Sequence, residues 1–306
     1  MRTERGQTLV LVALLLVAML AMVALAIDGG NAYSERRQMQ TAADAGALAA
    51  ARARCLGDAA WVSAGETQCE ANSSQAAIAC AVDGPGTYGS VWATASETIS
   101  TWFAGIVGVP SISVGARAEA SCEPISGTGT LVPLTIPVGS YGPDLPYAIW
   151  NKDYGTSGSF GWLQFDPLDE GCPQTNGLPQ VKACIENPSC APVVRAGEAI
   201  QTTEPGVMNT LLSELWDHWQ CEVVVVPLYS SRTGTGNNTR YTISQFGAFQ
   251  VTGMCDGKNH SYSCGGAPPE CSGGDKIISG TFVKYLDADS IGGGSDSGVY
   301  VVYLSD

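Results

Sequence analysis

Histidine is almost missing from this 306-residue chain: only His218 and His260 occur. They stand too far apart for His-x-x-x-His or His-Glu-x-x-His, which excludes zinc sites that need two imidazoles on one helical face. Gly-x-Ser-x-Gly is also absent, removing the strand–turn–helix elbow that exposes a nucleophilic serine. Basic residues are few, 15 Lys and Arg against 29 Asp and Glu, for a net charge of −14. A chain this acidic repels phosphate backbones, so nucleic acid is not an expected partner. Charge of either sign is sparse at 14%, below the roughly 25% of ordinary globular domains. With 37 Gly and 16 Pro, that composition suits a strand- and turn-rich body.

What the chain does have is an apolar run, Leu9 to Ile27, built only from Leu, Val, Ala, Met and Ile. As a helix these nineteen residues extend about 28 Å, close to the thickness of a bilayer core. Arg2 and Arg5 precede the run and Asp28 follows it. Retention of positive charge on the cytoplasmic side predicts a cytoplasmic N-terminus and an extracytoplasmic body. A cleaved signal peptide ending at Ala24-Leu25-Ala26 is the alternative, but the run exceeds the usual signal-peptide core of about 7–15 residues. All 11 cysteines lie beyond the run, where disulfides persist. Their odd number leaves one without an intrachain partner. The clusters Cys172/Cys184/Cys190 and Cys255/Cys264/Cys271 suggest locally stapled loops.

Charge and pattern divide the chain into residues 1–56, 57–125 and 126–306. The first carries a net +2 and the remainder −16. From Asn31 to Leu56, Ala, Gln, Glu and Arg predominate, which predicts a helix. Asp28-Gly29-Gly30 would bend that helix rather than end it. Ala32, Met39, Ala42, Ala43, Gly46, Ala49, Ala50 and Ala53 form one small-residue face, suited to packing on its own domain or against neighbouring subunits. Apolar positions at helical spacing predict a second helix over Ser90–Ile106. Ser111–Cys122 alternates strictly and predicts a half-buried strand. Further strands are expected at Leu131–Val138, Glu222–Tyr229, Tyr241–Gly253, Ile277–Leu286 and Gly298–Leu304, with a hairpin loop at 234–238 and a helix at Gly206–Gln220. The fold class is therefore α+β: a transmembrane helix continuing into an Ala-rich helix, then a strand-dominated, disulfide-stabilised extracytoplasmic body.

Chemistry-bearing patterns are weak. His218, in Trp216-Asp217-His218-Trp219, reads as a packed or surface helix residue. His260 lies within Cys255-x4-His260-x3-Cys264-x6-Cys271, a spacing that could seat zinc, although disulfides are the better account outside the cytoplasm. Gly84-Pro85-Gly86-Thr87-Tyr88-Gly89 spells a dinucleotide fingerprint, but Pro85 makes a turn the natural reading. Asp287, Asp289 and Asp296 sit on a glycine loop and are weak Ca²⁺ candidates, set against a plain loop between strands. Asp166, Asp169 and Glu170 form a carboxylate cluster of the kind glycosidases use, and acidic loops are commonplace in so acidic a body. Trp150, Tyr154, Phe160, Trp162 and Phe165 could stack on a sugar if exposed, the basis of an alternative reading as a carbohydrate-binding module or hydrolase. No catalytic residue, cofactor or metal site is expected from these patterns.

One stretch is more specific. Arg5-Gly6-Gln7 precedes the run, Ile27-Asp28-Gly29-Gly30-Asn31-Ala32-Tyr33 leaves it, and Arg36-Arg37-Gln38-Met39-Gln40-Thr41-Ala42-Ala43-Asp44-Ala45-Gly46-Ala47-Leu48-Ala49 follows. These residues resemble the N-terminal segment of the Tad (Flp pilus-assembly) TadE/TadG-like family. Ile99–Ala120 resembles the continuation of that segment. Phe160–Leu163, Thr203–Gly206, Val224–Leu228 and Phe246–Gly253 resemble the family's outer domain more loosely. The resemblance implies a single-pass envelope protein that assembles or anchors a pilus, with a minor pilin-like component as one form of that role. Its implied partners are the membrane and pilus-assembly proteins or like subunits, met through the N-terminal helix. Pilin-type precursors are cut after a glycine, which places processing between Gly6 and Gln7; the glutamate expected at the fifth mature position is Leu11 here. Some TadG-like members carry a von Willebrand-type metal site, and its Asp-x-Ser-x-Ser motif does not occur in this chain.

Overall fold

A computed structural model describes residues 5–73, 78–85, 89–140, 146–149, 161–165, 177–204, 209–258, 260–265 and 268–305. It divides into two compact units, one of residues 1–122 with 302–306 and one of residues 123–301. The whole is α+β: one long N-terminal helix, three shorter helices among the described residues, and many strands.

The first unit is built on α1, Arg5–Cys55, a single 51-residue helix of about 76 Å at 1.5 Å per residue. It runs unbroken through Gly29-Gly30. Two consecutive glycines cost helix stability, and the strong helix formers on either side carry the ladder across them. Helix α2 (Trp61–Ala71) and a meander of β1 (Ala79–Asp83), β2 (Gly89–Ser100) and β3 (Ser111–Thr128) complete this unit, β3 continuing into the second. Both pairings are antiparallel, and β2 matches β3 residue for residue from Gly89↔Cys122 to Ser100↔Ser111. Disulfides Cys55–Cys122 and Cys69–Cys80 close it.

Strand β2 corrects the expectation of a helix at Ser90–Ile106. Its burial alternates, with Val91, Ala93, Ala95, Glu97 and Ile99 inward. The spacing of Val91, Ala95 and Ile99 satisfies a helix and a strand equally. Thr94 and Thr98 on the outer face, together with twelve residues of partner strand, favour the extended form.

The second unit holds the expected strands. β4 (Leu134–Pro137), β5 (Pro146–Ile149), β6 (Gly161–Leu163), β8 (Ala199–Glu204), β9 (Val223–Thr233), β10 (Arg240–Asp256), β11 (Ser261–Ser263) and β12 (Lys276–Val283) form one sheet. The short strands β7 (Val194–Arg195), β13 (Tyr285–Leu286) and β14 (Ile291–Gly292) lie outside it, as does β15 (Val299–Ser305), which runs back into the first unit. β9 and β10 make the hairpin expected around 234–238. Helices α3 (Leu178–Glu186) and α4 (Asn209–Trp219) cover one face of the sheet. There Val181, Ile185, Leu211, Leu215 and Trp216 meet Val224, Val226, Leu228, Phe249 and Phe282. Val225, Tyr229, Tyr241, Phe246 and Ala248 point into a second cluster with Phe165 and Val194. Burial on both faces explains why Val223–Leu228 is an unbroken apolar run rather than an alternating one. Cys221–Cys264 and Cys255–Cys271 staple this unit. Cys190 is also disulfide-bonded, and Cys184 is a buried free thiol.

Candidate functional site: the membrane anchor and its exit

From Leu9 to Ile27 the side chains of α1 have almost no contact with the rest of the chain; Leu9 is 74% exposed and Leu25 76%. A 19-residue apolar surface left bare by its own fold fits a single-pass membrane anchor. Gly6 and Gln7 fall in the first turn of the same helix.

Burial begins at Asp28, the first residue past the run. Its carboxylate accepts three backbone N–H bonds from one loop: Trp102 on Oδ1 at 2.9 Å, and Phe103 and Ala104 on Oδ2 at 3.0 and 2.7 Å. That loop joins β2 to β3 and contains a 3₁₀ turn at Ala104–Val107. One side chain on the long helix therefore satisfies the donors that open the turn, as a helix-capping residue does, though 74 residues away in sequence. Two turns further on, Glu35 Oε2 and Glu97 Oε2 are each buried without a hydrogen-bond partner. Burial, and then repulsion from Glu35, push the Glu97 carboxyl above its ordinary pKa.

The small-residue face lies beyond. Met39, Ala42, Ala43, Gly46 and Ala50 are buried, Ala49 and Ala53 half-buried, and the face also takes in Ala47, Ala51 and Cys55. Its occupants come from the same unit. A Cβ built on Gly46 would stand 2.8 Å from Cys69 Cβ and 3.1 Å from Gly65 O, while one on Gly65 would stand 2.8 Å from Ala50 Cβ. Two glycines let the backbones of α1 and α2 touch, with Ala93 of β2 closing the third side.

The other residues singled out in the sequence are scattered and locally occupied. Asp287 is buried and accepts from Thr128 Oγ1 and Ser290 Oγ, both at 2.7 Å. Asp296 accepts from Tyr300 Oη at 2.7 Å, and Asp289 is exposed. The structure does not gather these three into one set of ligands: among the described residues, the clustered donor atoms are those of Glu186, Glu214 and His218, within 4.8 Å of one another. That group, spread over α3 and α4, already holds an ammonium, since Lys182 Nζ lies 2.7 Å from Glu214 Oε2. The hydrogen bond from Lys182 draws the Glu214 carboxyl below its ordinary pKa and raises that of Lys182. His260 pairs with Asp256 at 2.8 Å, and Cys255, Cys264 and Cys271 are all in disulfides, so no thiolate stands beside it. Gly84-Pro85 follows β1 in the link to the antiparallel strand β2, where a dinucleotide site would need a helix. Asp166, Asp169, Glu170, Trp150, Tyr154 and Phe160 lie outside the described residues. Trp162 and Phe165 are buried, at 0% and 2% exposure, and cannot stack on a sugar.

Sequence reasoning missed the work of Asp28, because its partners are distant in the chain and are backbone groups. The one signal was a carboxylate set immediately against an apolar run. No curated protein and no solved structure matches this chain. Residues 6–53, the anchor with its small-residue continuation, match the model of the "Putative Flp pilus-assembly TadE/G-like" family.

Proposed function

We propose that this chain is a non-enzymatic, envelope-anchored component of a Tad/Flp-type pilus-assembly system, held by Leu9–Ile27 with its N-terminus in the cytoplasm and both units outside. The observation that carries the reading is the family match over residues 6–53, which coincides with a helix bare for its first half and packed for its second. Orientation is supported by Arg2 and Arg5 ahead of the run and by disulfides in each unit behind it. With Leu11 where a pilin precursor carries glutamate, the chain serves as a retained anchor, and a minor pilin-like subunit cut at Gly6 is the narrower form of the same role.

Deleting the gene for this chain abolishes surface filaments, and re-expressing the full chain restores them; unchanged filament formation in the deletion strain overturns the reading. N-terminal sequencing of the membrane-extracted protein separates its forms. A start at residue 1 or 2 is the retained anchor, Gln7 is pilin-like processing, and Ile27 is a cleaved signal that removes the anchor altogether.

A further inference from the structure

We propose that the β2–β3 loop, Thr101–Pro110, is a second membrane contact of the first unit, seated in the interfacial layer of the leaflet where α1 emerges. This inference rests on the membrane-anchor reading of Leu9–Ile27.

The loop is apolar and bare. Trp102 is 76% exposed, Ile106 81%, Val109 45% and Phe103 39%, and no residue from Thr101 to Pro110 carries a charge. Four large apolar side chains exposed within eight positions form a patch that water penalises. Asp28 fixes the height of that patch. Its three hydrogen bonds tie the backbone of Trp102, Phe103 and Ala104 to the residue directly after Ile27, so the loop stands where the hydrocarbon-length run ends. Tryptophan is favoured at that level of a bilayer, where an apolar ring and a polar N–H are both accommodated. The loop's exposed face is thereby continuous with that of the span, whose Leu25 and Ile27 are also bare.

The loop backbone suits such a site. Thr101 N–H donates to Pro110 O, Ile106 N–H to Phe103 O, Gly108 N–H to Gly105 O and Val109 N–H to Ala104 O. Gly108, at φ 93°, supplies the left-handed turn that closes the tip. A loop with these groups paired internally enters the interface without the desolvation cost of open backbone. Asp28 is also compensated there, since three N–H dipoles face its charge.

The test uses the full chain in phosphatidylcholine vesicles containing lipid brominated high on the acyl chain. The span contains no tryptophan, so quenching at this depth reports the body. Bromolipid is expected to quench the wild-type emission, and Trp102→Phe to remove most of that quenchable component, because Trp102 is the ring placed at the interface. Asp28→Ala, which unpins the loop, is expected to give an intermediate loss. Vesicle flotation is read on the same samples. A chain that floats but shows equal quenching in wild type and Trp102→Phe overturns the loop inference and leaves the anchor standing. A chain that does not float overturns the anchor. If Trp102 is instead shielded by a second copy, its emission shifts with protein concentration in bromine-free micelles, which also overturns the lipid assignment.

Discussion

Asp28 offers two carboxylate oxygens to three backbone donors, a balance that asparagine cannot reproduce. Asp28→Asn keeps one acceptor and turns an amide N–H₂ toward donors, so we expect a lower unfolding midpoint, measured by denaturant unfolding of the full chain in micelles. Glu97 presents the opposite case, a buried carboxyl with an unpartnered oxygen and a raised pKa. The folded state therefore holds this proton more tightly than the unfolded one. Its contribution to stability is complete below the ordinary glutamate pKa and is lost as pH climbs through the raised folded value. Glu97→Gln mimics the neutral form, so its melting temperature should rise relative to wild type as pH increases from 4 to 7; parallel curves would remove Glu97 as the cause. Neither role was legible in the sequence. Within the helix expected at Ser90–Ile106, Glu97 reads as a solvated polar position; only its place on β2 turns it inward, toward Glu35 of α1.

At the scale of elements, the long helix and the β10, β12 and β15 strands could be read directly, because composition and period agreed over many residues. β2 could not, since apolar residues four apart suit both periods and its pairing partner decided the matter. Helix α2 gave almost no signal, as it buries Gly65 and Cys69 instead of a large apolar stripe. The small-residue face of α1 was readable as a close-approach surface, but what approaches was not, because Gly65 looks like loop punctuation in sequence. The contact of Gly46 with Gly65 yields a sharp expectation. Gly46→Leu forces at least two backbones apart and should cost about 1–3 kcal/mol or more, read as a lowered thermal midpoint of the full chain; an unchanged midpoint would mean that the face tolerates bulk.

At the scale of the molecule, each unit carries its own disulfides, and the sequence could predict their presence but not their pairing. Cys55–Cys122 closes a 67-residue separation, so replacing both with serine should cost about 4 kcal/mol by chain entropy, seen as a lower denaturation midpoint under oxidising conditions. Among the described residues Cys184 is a free thiol; burial pushes its pKa up to about 11. We expect the Cys184 peptide to resist alkylation at pH 8 until denaturant is added, a result that mass spectrometry of the labelled peptide checks directly. Rapid native labelling would show that the core of the second unit opens.

The unbroken course of α1 through Gly29-Gly30 has a mechanical consequence. Where a flexible linker would let a tethered domain swivel, here the same hydrogen-bond ladder that crosses the bilayer continues into the packed interior of the first unit. Asp28 and the small-residue face lock that unit to the rod at two heights. Tilt of the first unit is thereby coupled to tilt of the span, so the inclination of the helix in a bilayer carries over to the inclination at which this unit is displayed.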